Sequence, residues 1–249
     1  MGEKRKTTVY FGGTAHELWT ERGLEVSYTG RTAVLAVGEG DEMRAEAPEP
    51  ERAGDVKAGY NELAKCLELA MRLNAGAISP LSGAYFRAAA EVARALEDSA
   101  DCWRALPDTF RQELSGGAEC IAMVELLRVL LDERRASWDE AADIVSRCFT
   151  LRIPALRTGA PVPLAAVSAL QMRDVTLINA LNDRLCSRLW DEWPGDWLRI
   201  GQSAIVRDSE ADFTMLAAAL CSRVFCTKEE LAGPLRALYT LEPARFSEL

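Results

Sequence analysis

Ser115-Gly116-Gly117-Ala118-Glu119 is the stretch of this chain best suited to chemistry. A hydroxyl, two glycines and a carboxylate lie between a short strand pattern at Phe110–Leu114 and a helical run from Cys120 to Leu131. A turn of this kind leaves free backbone N–H groups at a helix N-terminus, where anions bind. Glu119 has the chemistry of a general acid, although a lone carboxylate at a helix start is far more often a capping charge. Neither a Walker lysine nor a GxGxxG pattern accompanies the glycine pair, so a nucleotide-phosphate loop is not indicated. His16 is the only histidine and falls in a β-rich segment far from this turn. The seven cysteines are odd in number, scattered and without CxxC spacing, which reads as small core residues in a reducing compartment and as no metal site. Trp190, Trp193 and Trp197 cluster around Pro194-Gly195. They could stack on sugar rings, but packing of a helix end is the commoner use.

The elements that must position these residues divide into two parts. Residues 1–50 are β-rich: Thr8–Phe11, Leu24–Tyr28 and Thr32–Val37 are short strand patterns separated by glycine turns, which predicts a small antiparallel meander. Pro48-Glu49-Pro50-Glu51 reads as a stiff acidic connector. Residues 51–249 form a helical body, and the whole chain is expected to be a single α+β, predominantly helical domain. Lys57–Leu73 is amphipathic, with Leu63, Cys66, Leu67, Ala70 and Met71 on one side; Tyr85–Leu96 is an alanine-rich helix. The helix after Glu119 is apolar except for a stripe of Glu125, Arg128 and Asp132, so narrow a wet face that the helix is mostly buried. Capping boxes start helices at Ser137 and Thr227. Arg152–Pro163 is a proline-broken loop, and Leu164–Leu189 is a long helical region with an irregularity near Arg173-Asp174. Met215–Val224 fits a buried helix or a strand equally.

Composition narrows the function classes. A net charge of −9 over 249 residues argues against nucleic acid as a partner, since phosphate binding needs a basic surface. The basic run at Met1–Lys6 is short and reads as a frayed terminus. No run approaches the roughly 18–20 apolar residues of a membrane span, and no signal peptide pattern opens the chain. An intracellular location without membrane insertion is therefore expected.

Several collinear stretches together resemble the glycogen/starch (α-glucan) phosphorylases. Leu114, Ala122, Glu125-Leu126, Arg128, Leu130 and Asp132-Glu133 match that family's central strand-turn-helix block without a gap. Ser137-Trp138-Asp139-Glu140-Ala141 with Ile144-Val145 and Phe149 resembles the block that follows it. Tyr10-Phe11-Gly12-Gly13, Val34-Leu35-Ala36-Val37, Ala53-Gly54-Asp55, Tyr85-Phe86, Trp193-Pro194-Gly195-Asp196 and Leu241-Glu242-Pro243 are similar to further family segments in the same order. The resemblance implies a truncated, degenerate portion of the N-terminal domain. Where the family has Asn-Asp-Thr-His-Pro lining its active site, this chain has Ser115, Gly116, Gly117, Ala118 and Glu119. Where the family has a substrate-contacting histidine, the register falls on Ile153-Pro154-Ala155.

The resemblance implies pyridoxal phosphate as the family's cofactor, but the lysine that carries it belongs to the C-terminal half, beyond Leu249. No catalytic, cofactor-binding or metal residue is therefore expected here, and no cofactor. The leading expectation is a non-catalytic structural or interaction subunit with a protein partner or a homo-oligomeric assembly. A glucan-binding module is the alternative: Asn179, Asn182 and Asp183 lie in a helix similar to the one that helps form the family's polysaccharide storage site. A third is a split α-1,4-glucan phosphorylase completed by a separate chain.

Overall fold

Residues of β1 (Lys6–Phe11) alternate between solvent and interior, which buries Thr7, Val9 and Phe11, as a strand with one covered face must. The computed structural model describes residues 5–21, 23–49, 56–153 and 160–249. The expected connector at 48–51 and the Ala53-Gly54-Asp55 match extend outside these residues, as do Pro154 and Ala155. After β1 a hairpin of β2 (Thr14–Thr20) and β3 (Gly23–Thr29) leads to β4 (Thr32–Val37) and β5 (Arg44–Glu46). All pairings are antiparallel, as expected: β1 pairs with β4, β4 with β5, and β2 with β3 as a separate ribbon. The β1–β2 turn depends on Gly13 (φ +84°), where a Cβ would fall 2.6 Å from the Thr29 carbonyl oxygen. A side chain there would require the ribbon to shift.

Two helices cover this sheet. Helix α1 (Val56–Asn74) buries Cys66 and Ala70 but leaves Leu67 and Met71 exposed, so only part of the predicted apolar face finds cover. The Asn74 side chain extends the edge strand by bonding both the N–H (2.8 Å) and the C=O (2.7 Å) of Ala45. Helix α2 (Pro80–Ser99) is pinned by the buried Arg94, which donates to Thr7 Oγ1 at 3.0 Å and to the carbonyls of Ala36 (2.9 Å) and Gly38 (2.6 Å). Those carbonyls would otherwise be buried at the sheet's end.

The body is organised around four short strands. The short α3 (Leu106–Thr109) precedes β6 (Gln112–Leu114), and after the Ser115–Glu119 turn comes α4 (Ile121–Arg128), which continues into one π-helical turn at Val129–Glu133. Every residue of α4 is buried. Ser137 caps α5 (Trp138–Cys148) by accepting from the Glu140 N–H at 3.3 Å. The chain then runs through β7 (Phe149–Arg152), β8 (Val162–Pro163), α6 (Leu164–Leu170), α7 (Met172–Glu192), α8 (Trp197–Ser203), β9 (Val206–Arg207) and β10 (Glu210–Ala211). It ends with α9 (Phe213–Leu220), β11 (Val224–Cys226), α10 (Lys228–Ala232), α11 (Arg236–Leu241) and β12 (Phe246–Glu248). Strands β12, β11, β7 and β6 lie side by side in that order, and every neighbouring pair is parallel.

The expected irregularity is a break at Gln171, whose extended backbone (φ −156°) separates α6 from α7. The ambiguous run at Met215–Val224 divides between the helix α9 and the first residue of β11. The predicted loop at 152–163 begins on the last residue of β7 and ends on the two-residue β8. Among the described residues no helix is long and apolar enough to cross a membrane.

Candidate active-site loop and the charge network behind it

Because β6, β7 and β11 are parallel, their C-terminal ends lie at one end of the sheet, where open parallel sheets place their ligands. The turn Ser115–Glu119 leaves β6 at this end. Gly116 adopts φ +93°, and a Cβ there would stand 2.9 Å from Thr214 Oγ1. The Thr214 hydroxyl in turn donates to the Gly116 carbonyl at 2.8 Å and ties the turn to α9. The predicted free N–H groups are not free. Glu119 folds back over the turn, and its Oε1 accepts from the Ser115 N–H (2.9 Å), the Ser115 hydroxyl (2.7 Å) and the Gly117 N–H (3.0 Å). A side chain at Gly117 would collide with it, its Cβ falling 2.7 Å from Glu119 Oε2. Burial pushes the Glu119 carboxyl up, yet the Ser115 hydroxyl and these N–H groups outweigh it and hold it below its ordinary range. Glu119 is therefore a carboxylate cap with its Oε1 engaged three times over, poorly placed to lend a proton.

Behind the turn, the polar stripe of α4 departs from the predicted wet face. Glu125 and Arg128 are both buried and form a bidentate pair, 2.8 Å at each arm. Arg128 also reaches Glu133 (2.9 Å) and the Tyr28 hydroxyl (3.3 Å). Tyr28 donates to Asp132, which receives a second bidentate pair from the buried Arg173 at 3.0 and 3.1 Å. Arg173 also holds Glu17 of β2. Arg31 also stacks on this network, 4.1 Å from the Tyr10 ring centroid and 4.4 Å from that of Tyr28, and Tyr28 of β3 and Glu17 of β2 join the hairpin to the stripe. The stripe is polar because it faces other charges. Sequence periodicity marks a polar face but not whether water or protein meets it.

At the α6–α7 break, Gln171 and Asp174 are fully buried, and their side-chain oxygens and the Gln171 amide nitrogen have no hydrogen-bond partner among the described residues. Burial, followed by the nearby Glu125 carboxylate, pushes the Asp174 carboxyl well above its ordinary range, while Arg128 and Arg173 oppose the shift. Sequence reasoning noted the irregularity there but not the buried carboxyl.

The remaining candidate residues lie elsewhere. Asn179 and Asp183 are exposed one turn apart on α7, whereas the Asn182 side chain accepts the Val206 N–H at 3.1 Å and so holds β9. His16 is on the exposed ribbon, bonded to Thr29 Oγ1. Among the described residues no group of three or more His, Cys, Asp or Glu side chains could hold a metal.

The carbohydrate phosphorylase family profile matches residues 53–228, more than half of the chain. The chain belongs to the carbohydrate phosphorylase family. It is 32% identical over 99 residues to the glycogen phosphorylase of Bacillus subtilis (strain 168), covering 39% of this chain and 12% of that protein. Glycogen phosphorylase 2 of Dictyostelium discoideum is 29% identical over 102 residues, covering 39% of this chain and 10% of that protein. The muscle form of human glycogen phosphorylase is 27% identical over 106 residues, covering 42% and 13%. The aligned stretches thus span about an eighth of the length of these relatives.

Pyridoxal phosphate, implied by the family resemblance, needs an enclosed lysine amine. Among the lysines whose side chains the structure describes, Lys6 is exposed, and Lys65 and Lys228 are surface partners of Glu62 and Glu248. These lysines do not fit the group.

Proposed function

We propose that this phosphorylase-family chain is non-catalytic and serves as a structural or interaction subunit of a larger assembly. One observation supports this reading above others: Glu119 closes the turn at the position where the family resemblance places active-site residues. An anionic substrate approaching this turn meets a carboxylate, not open N–H donors, and phosphorolysis needs donors aimed at developing charge. The buried pairs behind it, Glu125 with Arg128 and Asp132 with Arg173, direct their charges to one another and to the β2–β3 hairpin. Exposed large apolar side chains at Leu18, Trp19, Leu67, Met71, Trp197 and Leu198 offer surface for partners.

The test is native mass spectrometry of the chain isolated from its source, together with a phosphorolysis assay on glycogen and inorganic phosphate. A defined larger assembly containing this chain, with no glucose 1-phosphate formed and no pyridoxal absorbance, is the expected result. Glucose 1-phosphate production that disappears on removing this chain would overturn the reading in favour of a split enzyme. The glucan-binding alternative rests on the exposed Asn179 and Asp183, and retardation on glycogen-containing native gels that Asn179→Ala abolishes would establish it.

A further inference from the structure

A half-open groove of about 800 Å³ lies between the Trp193–α8 segment and the α10–α11 corner, and none of its lining residues belongs to the Ser115–Glu119 turn or to the charge network. Three arginines, Arg199, Arg207 and Arg236, line it against one carboxylate, Asp196. This is a locally basic surface on a chain of net charge −9. Arg199 stacks on the Trp193 ring (4.6 Å to its centroid) and pairs with Asp196 at 3.1 Å, and Arg207 pairs with Asp212 at 3.2 Å. The Arg199–Asp196 pair is exposed on both sides, and pairs of this kind contribute about 0–1 kcal/mol, so an incoming carboxylate can replace Asp196 at small cost. Asp212 is largely buried and caps α9, but the guanidinium of Arg207 stays 43% exposed and can take a second carboxylate. Arg236 is exposed and has no ion-pair partner among the described residues.

The rim has the opposite character. Leu198, which lines the groove, is 72% exposed, and its neighbour Trp197 is 71% exposed and packs on Trp190 with ring centroids 4.7 Å apart. Large apolar side chains beside arginine are what the centre of a protein–protein interface contains, tryptophan and arginine being its commonest energetic anchors. A small-molecule site would enclose most of its ligand, and this groove is only half enclosed.

We infer that the groove docks an acidic segment of a partner protein. Its carboxylates pair with Arg207 and Arg236, and an apolar side chain rests on Trp197 and Leu198. The inference rests on the subunit reading above and names the surface and partner chemistry for it.

Fluorescence anisotropy tests it with a short fluorescein-labelled peptide of alternating glutamate and leucine, a lysine–leucine peptide as control, and inorganic polyphosphate as competitor. The acidic peptide should bind and weaken as salt rises, and the basic one should not bind. Arg236→Glu and Leu198→Ala should each weaken binding about tenfold. Both sites are exposed, and unchanged thermal melts would confirm intact folds. Equal binding of the two peptides would overturn the inference, as would indifference to Arg236→Glu. Complete displacement by polyphosphate together with indifference to Leu198→Ala would reduce the groove to a general anion patch and also overturn it. Native mass spectrometry separates this failure from that of the subunit reading. An assembly that persists in the Arg236→Glu chain removes only the groove, whereas a monomeric wild-type chain removes the subunit reading.

Discussion

Asp174→Asn should stabilise the protein, and the gain should grow with pH. The Asp174 carboxyl is fully buried, neither oxygen has a hydrogen-bond partner among the described residues, and the charged groups facing it come from three elements. Glu125 and Arg128 belong to α4, Asp132 to its π-helical turn and Arg173 to α7 itself. Burial and the two carboxylates hold the neutral form, so the folded-state pKa lies well above the unfolded value of about 4. The folded chain then binds more protons than the unfolded chain between those two values. The contribution of Asp174 is therefore greatest below about pH 4 and is lost as pH rises towards the folded-state pKa. The slope is about 1.4 kcal/mol per pH unit once the unfolded chain has ionised. Asparagine has nearly the same shape and never ionises, so the two proteins should have similar stability near pH 4. Above that pH the lead of the variant should grow, at most at this slope, until the folded-state carboxyl ionises as well. Urea unfolding followed by circular dichroism across this range measures the difference directly, and subtraction cancels every group common to both chains. A stability difference independent of pH would refute the reasoning, because it would mean that Asp174 ionises equally in both states.

Other expectations follow from single contacts. Arg128→Leu removes the partner of the buried Glu125 and should cost about 3–5 kcal/mol, measured by chemical denaturation; a loss below about 1 kcal/mol would mean that water reaches the pair. Gly116→Ala should cost about 1–3 kcal/mol, because φ +93° strains any side chain and the new Cβ crowds Thr214. Burial pushes the Cys148 and Cys221 thiols up to about 12 and Cys226 up to about 11, whereas Cys102 is exposed. Iodoacetamide at about pH 8 should therefore modify Cys102 in the folded protein and the other three only on unfolding, as peptide mass mapping would show. Ser137→Ala should lower stability by about 1 kcal/mol through loss of the α5 cap, visible as a lower melting temperature.

Much of the fold was legible because local rules governed it. The glycine-bounded strands β1, β3 and β4, the alanine-rich α2 and the caps at Ser137 and Thr227 are all set by nearest-neighbour chemistry. The strands β7, β11 and β12 were not legible as strands. At three or four residues each they are too short to display a period, and their partners lie far away in sequence: Val224 pairs with Leu151 on one side and Phe246 on the other. The exposure of Leu67 and Met71 was hidden for a related reason. Periodicity reveals an apolar face, but how much of it is covered depends on the width of the sheet beneath.

The turn was legible in position and not in its hydrogen bonding. Two glycines before an apolar helix correctly marked the turn, and the same pattern suggested open N–H donors. What fills them is a carboxylate two residues beyond Gly117, and the fit depends on torsions: Gly116 at φ +93° and a Gly117 without a Cβ to obstruct Glu119 Oε2. The glycines that make the turn look ready for an anion are the ones that let the chain supply its own. Glu119→Gln separates the two uses. It preserves the acceptor oxygen but removes the charge, so the turn should persist with weaker hydrogen bonds at about 1 kcal/mol of cost. Inorganic phosphate should then raise the melting temperature of Glu119→Gln more than that of the wild type, since a ligand stabilises only the state that binds it. An identical phosphate response in both chains would mean that Glu119 does not occupy an anion site, and would remove the main support for a closed, non-catalytic turn.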